Sequence, residues 1–422
     1  MDKRSFIKSA GIIGLGGFFN LENIRKMVEN VSGVTASELA ADEKFWDEIR
    51  GGYRLKPGFI NLENGYYNFV PGQILEKYFE HARDINYEGS YYMRTVQVEN
   101  KRAMAAKLAG LLGCNADEVA ITRNATESLD IIISGFDWKA GDEAIMAEQD
   151  YPTMLAMFRQ VAHRYGVVNK VISVPNHPRS DEEIVDLYAS AITPKTKLIM
   201  VCHMINLTGH ILPVRKICDM AHKKGVKVMV DGAHAVAHFR FSLPDLDCDF
   251  YGSSLHKWLS VPLGSGLLWV RKELIGTIWP LLASHEEHRT DDIARLNHTG
   301  TLPVHTDLAV ADAIDYYNMV GPERKEARLR YLKDYWVTRV KDHPKIIINT
   351  PFEAERSCGI GNVGVAGMKP QALGDFLFGR YHIYTAPIDD AGVHGCRITP
   401  NIYTSVSELD VLVKALLEAA NG

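Results

Sequence analysis

The sequence predicts an α/β protein in which a large domain with a mostly parallel sheet precedes a smaller α+β domain. From about residue 60, short apolar runs alternate with segments of helical spacing, which is typical of parallel strands covered by helices on both faces. After residues 302–303 this regular alternation ends. The chain has 422 residues, more than one average domain.

The large domain is predicted to span residues 37–305. Apolar residues three or four positions apart predict helices, and continuous apolar runs predict buried strands. Helices are predicted at 100–112, 154–165, 181–192 and 215–224, and strands at 144–147, 167–174, 197–203, 226–230, 250–253 and 266–270. Asn206, Asp231 and Lys257 each follow one of these strands. Since ligands bind beyond the carboxyl ends of parallel strands, we expect these residues to form one site.

The smaller domain is predicted to span residues 306–422. Its helices are predicted at 306–320, 323–342, 370–378 and 406–420, and its strands at 346–349, 361–365, 383–384 and 396–398. The glycines at 359, 361 and 364 run into strand-like sequence and open no helix, so they do not predict a dinucleotide site.

Composition excludes several classes of function. The chain is 46% apolar and 23% charged with a net charge of −5, which is ordinary for a globular protein and does not favour nucleic acid. The six cysteines have neither zinc-like nor CxxC spacing, so they predict isolated thiols. His234 and His238 are four apart, but no glutamate follows the first and no third ligand is near. No metal site is predicted.

Residues 1–36 are predicted to be an export leader. A basic start over residues 2–8 precedes an apolar stretch over residues 10–19, and this order resembles a twin-arginine leader with Lys3 in place of an arginine. The apolar stretch is too short to span a membrane, so no stable membrane anchor is expected. The leader implies a periplasmic protein. The alternative is an ordinary N-terminal helix and a cytoplasmic protein.

Lys257 and Asp231 carry the chemistry. A lysine amine at a strand end can form a covalent imine with a carbonyl, and a nearby aspartate can keep a heteroaromatic nitrogen protonated. Together they predict a site for pyridoxal 5'-phosphate (PLP), an electron sink at an amino acid's α-carbon. Asp231 could instead cap a helix. Lysines are usually solvated, but apolar flanks and Trp258 surround this one.

Several further motifs occur in order along the chain. They are Asn61-Leu-Glu-Asn-Gly-Tyr66, Arg123-Asn-Ala-Thr126, Tyr151-Pro, Asn206-Leu-Thr-Gly209, Asp231-Gly-Ala-His234, Ser254-Leu-His-Lys257, Gly300-Thr301 and Cys396-Arg397. In this order, from about Asn61 to the C-terminus, they resemble the class V aminotransferase family of fold type I PLP-dependent enzymes. The resemblance is strongest to the isopenicillin N epimerase-like group and more distant to cysteine desulfurases.

The resemblance implies roles for individual residues. Ala125, Thr126, Ser254 and His256 would hold the phosphate, Tyr151 would stack on the ring, and Asn206 would donate to the ring oxygen and face the substrate, beside Asp231, His234 and Lys257. Arg397 would bind the substrate carboxylate, and Tyr66, Tyr92 and Arg94 would line the substrate entrance. Thr301 would reach the phosphate of a neighbouring subunit, which implies a homodimer with shared active sites.

Structural explanations stay open for some of these residues. A threonine and an acidic residue after Arg123 would also cap a helix. Tyr151 could be a surface residue before a proline turn, Arg397 could form a structural salt bridge, and paired tyrosines often serve packing.

The expected reaction occurs at the α-carbon of an amino acid or a similar amine. Aminotransferase chemistry is favoured, and epimerase or lyase chemistry are the alternatives. Desulfuration would need a mobile cysteine in an exposed loop, and neither Cys358 nor Cys396 has such a context. A non-catalytic binding protein is disfavoured because the residues for covalent cofactor attachment are intact.

Overall fold

The large domain is built on a seven-stranded sheet. The computed structural model describes residues 21–31, 33–284 and 289–422. Across the sheet the strands follow the order Val119–Thr122, Gly266–Val270, Phe250–Ser254, Lys227–Asp231, Thr196–Cys202, Glu143–Ala147 and Val168–Ile172. Only Gly266–Val270 runs antiparallel to its neighbours among these strands. The predicted α/β class with a mostly parallel sheet is therefore confirmed.

Both faces of this sheet are buried. In the interior strand Thr196–Cys202, Leu198 and Met200 belong to one apolar core, whereas Ile199 and Val201 belong to the other. This alternation explains why the strand sequences read as continuous apolar runs. The six predicted strands of this domain are present, with ends shifted by a few residues at most. The edge strand Val119–Thr122 was not predicted.

Helices cover the two faces and form most of the smaller domain. The α-helices are Leu21–Asn30, Ala36–Ala40, Glu43–Arg50, Gly72–Glu88, Ser90–Thr95, Gln97–Leu112, Ala125–Gly135, Pro152–Tyr165, Asp181–Ala191, Val214–His222, Leu243–Leu246, His305–Val320, Pro322–Val340, Pro370–Tyr381 and Val406–Asn421. Short 3₁₀ helices occur at Ala116–Glu118, Lys272–Thr277, Ile293–Leu296 and Ala354–Arg356. Within the described part of the chain, no helix is long and apolar enough to span a membrane.

The smaller domain carries a four-stranded antiparallel sheet. Its order is Ala386–Asp390, Val393–Ile398, Gly361–Val365 and Ile346–Ile348. A separate strand pair joins Ile60–Asn61 to Ile383–Tyr384. This pairing brings the residues after Asn61 next to the strand that carries Arg397, because Glu63 forms an isolated bridge with Thr399.

Two predicted boundaries differ from the packing. The helix His305–Val320 buries Ala309, Val310 and Ala313 in the core of the large sheet, although residue 306 is the predicted start of the smaller domain. In the expected leader, the basic start and the apolar stretch lie outside the described residues. The helix Leu21–Asn30 buries Ile24 in the same large core.

Candidate active site

A cavity of about 590 Å³ lies at the carboxyl edge of the large sheet. Three parallel strands end there with Cys202, Asp231 and Ser254, and the register pairs Cys202 with Asp231 and Asp231 with Gly252. The chain turns after Ser254 and places Lys257 in the cavity wall. Strand order and register thus bring together residues that are distant in sequence.

Most of the predicted site residues line this cavity. They are Tyr66, Ala125, Thr126, Tyr151, Asn206, Asp231, His234, Ser254, His256, Lys257 and Arg397. Tyr151 stands at the start of the helix Pro152–Tyr165 with 40% of its surface exposed, so its ring is available to a ligand. The lining also includes apolar side chains from both domains, such as Met154, Leu263 and Ile388.

Three predicted residues lie elsewhere. Tyr92 and Arg94 do not line the cavity of this chain, contrary to expectation. Tyr92 is buried on the helix Ser90–Thr95, and its hydroxyl accepts a hydrogen bond from Asn100 Nδ2 at 3.1 Å, whereas Arg94 is exposed. The packing explanation therefore holds for Tyr92. Thr301 is exposed and contributes nothing to this chain's cavity.

Lys257 is held as a readily deprotonated amine. Its Nζ lies 3.0 Å from His234 Nε2. Burial lowers the pKa of Lys257 to about 8, and the positive charge of Arg397 acts in the same direction against the opposing effect of Asp231. A lysine with such a pKa is a competent base and nucleophile near neutral pH.

The hydrogen bonds of His234 favour one protonation state of Lys257. Trp258 Nε1 donates to His234 Nδ1 at 3.3 Å, and an indole N–H can only donate. Burial lowers the pKa of His234 well below its usual value, so the ring is neutral and its one proton is on Nε2. That N–H points at Lys257 Nζ, which can accept it only as the uncharged amine.

Asp231 is a buried carboxylate that faces the cavity. Its Oδ1 accepts a hydrogen bond from the Ala233 backbone N–H at 3.0 Å. Burial raises the pKa of Asp231, although that N–H and the charge of Lys257 oppose the shift. A ligand that brings a protonated ring nitrogen next to Asp231 would compensate this buried negative charge.

The helix Ala125–Gly135 points its N-terminus at the cavity. Asn124 caps the helix by accepting from Glu127 N at 2.9 Å, and Ala125 N donates to Ser254 Oγ at 2.9 Å. The strand residue Gly266 packs directly on this turn, since a Cβ there would lie 2.6 Å from Asn124 Cα. Backbone N–H groups and the helix dipole make this end suitable for a phosphate. The cap is Asn124 and not the threonine that the sequence suggested, so capping does not use Thr126 and does not exclude a phosphate at this helix end.

Two buried polar atoms of residues in the cavity wall lack a hydrogen-bond partner in the part of the chain that the structure describes. Asn206 Oδ1 and His256 Nδ1 have no hydrogen-bond partner among the described residues. Buried polar atoms are normally satisfied, so both indicate a polar ligand. With Asp231, Lys257 and the helix N-terminus, they fit PLP. Ala125, Thr126, Ser254 and His256 would hold its phosphate, and Lys257 would hold its aldehyde carbon.

Arg397 does not present a free guanidinium. Its Nη2 and Nε donate to Glu63 at 2.6 and 3.3 Å, and its Nη1 donates to the Asn206 carbonyl at 3.0 Å. Gly65 packs against the same group, because a Cβ there would lie 2.9 Å from Cζ. The predicted carboxylate-binding residue is thus already paired. Sequence reasoning missed Glu63, although it belongs to a quoted motif.

The cysteines do not form a reactive loop. Five of the six are buried and Cys114 is half-buried. Cys202 lines the cavity, but it is fixed at the end of a strand, and burial raises the pKa of its thiol well above the usual value. Within the described ranges, no group of histidine, cysteine and acidic residues could hold a metal ion.

Comparison with known proteins settles the family. The family model for class-V aminotransferases matches residues 73–386. The chain belongs to the class-V aminotransferase family. This membership, together with the site above, assigns PLP as its cofactor and fold type I as its fold.

Relatives within the family catalyse different reactions. Isopenicillin N epimerase from Streptomyces clavuligerus is 29% identical over 88% of this chain and 97% of its own length. Cysteine desulfurase from Haloferax volcanii is 26% identical over 85% of this chain and 88% of its own length. In structure, the chain is similar to cysteine desulfurase from Thermococcus onnurineus, with a TM-score of 0.78, 20% identity, and 89% and 98% coverage of the two chains.

Proposed function

We propose that this class-V PLP-dependent enzyme is an aminotransferase acting on an α-amino acid. The observation that carries the proposal is the buried contact of 3.0 Å between Lys257 Nζ and His234 Nε2. It supports a single neutral base positioned at the cavity wall. When bound, PLP supplies an electron sink for negative charge at the substrate's α-carbon.

Each step asked of the protein matches one residue. Lys257 Nζ would remove the proton from the substrate's α-carbon and return a proton to a carbon of the cofactor. Both transfers occur on the side of the cofactor that faces Lys257, so one base is sufficient for transamination. Asp231 keeps the cofactor's ring nitrogen protonated. The aromatic ring of Tyr151 orients the cofactor by stacking. Arg397 would bind the substrate carboxylate in exchange for Glu63, its partner in the free protein.

Epimerisation is the second candidate. The relative that is 29% identical over 88% of this chain is an epimerase. Inverting the α-carbon needs an acid on the side opposite Lys257, and the hydroxyl of Tyr151, which lines the cavity, is a candidate for that role. A lyase reaction that transfers sulfur to a protein cysteine is not supported, because Cys202 is buried in a strand.

The two candidates are separated by spectroscopy and isotope exchange. The holoenzyme is mixed with a panel of L- and D-amino acids in heavy water. We expect conversion of the cofactor to its pyridoxamine form and formation of a 2-oxo acid. Deuterium at the α-carbon with loss of optical activity and no oxo acid would establish epimerisation instead. The K257A variant, which lacks the base, serves as the control.

We also propose a homodimer in which Thr301 completes the partner's site. The proposal is supported because Thr301 is exposed and does not line this chain's own cavity. Sedimentation of T301A against the parent protein, combined with PLP titration, tests the idea. Weaker PLP binding by an intact dimer is expected.

A further inference from the structure

The guanidinium of Arg397 is enclosed on several sides. Glu63 accepts from Nη2 and Nε, the Asn206 carbonyl accepts from Nη1, and the Gly65 backbone covers the group. Each side chain of the Arg397–Glu63 pair is only 9% exposed. Glu63 therefore uses the two-N–H edge that grips a carboxylate most strongly.

Glu63 is held in place by the backbone around it. The Tyr66 backbone N–H donates to Glu63 Oε1 at 2.9 Å, and Glu63 bridges to Thr399 beside the strand that carries Arg397. Because both partners are fixed before a ligand arrives, pairing costs little conformational entropy. An incoming carboxylate thus meets a charge-neutral pair.

We propose that Glu63 is a specificity-determining residue that competes with the substrate carboxylate for Arg397. A ligand that docks on the same edge displaces the Glu63 carboxylate, which must turn toward water. For a small amino acid, the exchange of one carboxylate for another on Arg397 gives little net binding free energy, and its short side chain adds few contacts. A substrate with an extended, partly apolar side chain gains additional contacts with Met154, Leu263 and Ile388, and is therefore selected.

The alternative role for Glu63 is to orient Arg397 for its ligand. The two roles predict opposite results when the charge is removed. If Glu63 competes, E63Q frees the guanidinium and carboxylates bind more tightly. If Glu63 only orients Arg397, the same change loosens the guanidinium and carboxylates bind more weakly.

The test is calorimetric titration of the holoenzyme with 3-phenylpropionate. This monocarboxylate has no amino group and cannot react at the cofactor, so the measurement does not depend on catalysis. We expect E63Q to bind it at least fivefold more tightly than the parent protein, and R397Q to lose binding. The matched amide, 3-phenylpropionamide, carries no charge and should bind E63Q and the parent protein equally.

E63D provides a second measurement if E63Q folds poorly, because it keeps the charge but withdraws it by one methylene. We expect an intermediate gain in affinity. Unchanged or weaker binding by E63Q and E63D, or no binding by the parent protein, E63Q and E63D, overturns the proposal. The specificity part rests on the proposed function, but its failure is distinguishable: an enzyme that turns over no amino acid can still show the fivefold difference.

Discussion

At the scale of single residues, the site is organised around the proton on Lys257. A donor-only indole fixes one nitrogen of His234, and the other nitrogen then faces the amine. Burial supplies the main lowering of the Lys257 pKa. Trp258 thereby gains a role that its place in the sequence, next to the lysine, did not reveal.

We expect W258F to raise the pKa of Lys257 above its value of about 8 in the parent protein. Without the indole N–H, His234 can move its proton to Nδ1 and accept a hydrogen bond from the charged ammonium. The pKa of Lys257 is measured on cofactor-free protein from the pH dependence of its modification by an amine-reactive reagent, which mass spectrometry detects. Nitrogen NMR of His234 reports the tautomer directly. An unchanged tautomer would contradict the assignment.

D231N should stabilise the cofactor-free protein and reduce the additional stability that the cofactor provides. Burial raises the pKa of Asp231 above the value of about 3.9 expected in an unfolded chain. The folded state therefore releases this proton at higher pH than the unfolded state, and stability falls as pH rises between the two values and stays lower above them.

D231N removes this buried charge while keeping an oxygen that can accept from Ala233 N. At pH 7.5 we expect a higher melting temperature without PLP and a smaller increase on adding PLP than in the parent protein. Thermal unfolding with and without the cofactor provides both numbers. A lower melting temperature of the cofactor-free variant would show that the carboxylate stabilises the fold.

At the scale of elements, the sequence predicts what burial imposes. Strands buried on both faces, such as Thr196–Cys202, have continuous apolar sequences, and these sequences predicted them correctly. The strand Ala386–Asp390 was not predicted, because it lies at a sheet edge, contains a proline and exposes its two aspartates. Residues 386–390 form a strand because they pair with Val393–Ile398, and this pairing has no signal in the local sequence. The Arg397–Glu63 pair was missed for a similar reason, since it joins residues 334 positions apart.

Substitution of Gly266 tests how one strand supports the turn at Asn124, where we expect the phosphate of PLP to bind. A Cβ at this position would lie 2.6 to 2.7 Å from backbone atoms of Asn124, so G266A must push the turn away from the strand. We expect a loss of about 1–3 kcal/mol in stability, as for other overpacked sites, and weaker PLP binding.

Denaturant unfolding and PLP titration measure the two effects of G266A. The matched control is G110A, at an exposed helical glycine whose Cβ would meet nothing within 4 Å. It should be neutral or stabilising by up to about 1 kcal/mol, because alanine favours helix more than glycine. Equal PLP affinity in G266A and the parent protein would separate the turn from cofactor binding.

At the scale of the whole molecule, a segment near residue 60 connects the two domains. Residues 60–65 pair with the smaller domain and bring Glu63 next to Arg397, which lines the cavity. The helix His305–Val320 extends the core of the large sheet. A boundary at residue 306 follows the change in sequence pattern, but the packing does not follow that change. The periplasmic location stays a prediction.

The helix Leu21–Asn30 allows a test of the predicted leader boundary. Ile24 is 1% exposed in the large core, and Thr35 caps the helix Ala36–Ala40 through a reciprocal pair of hydrogen bonds with Glu38. A chain that begins at Ser37 loses both. We expect a decrease of about 2–5 kcal/mol for the buried isoleucine and a further loss of about 1 kcal/mol for the cap.

Guanidinium unfolding of four proteins measures this contribution. A chain that begins at Leu21 retains the contacts of Ile24 and Thr35, so it is the reference for the chain that begins at Ser37. The substitution I24A in the full chain should reproduce most of the loss seen on truncation to Ser37, because it removes the same buried side chain. If truncation to Ser37 left stability unchanged, residues 21–36 would be dispensable for the fold and removal of a leader up to residue 36 would be compatible with a stable enzyme.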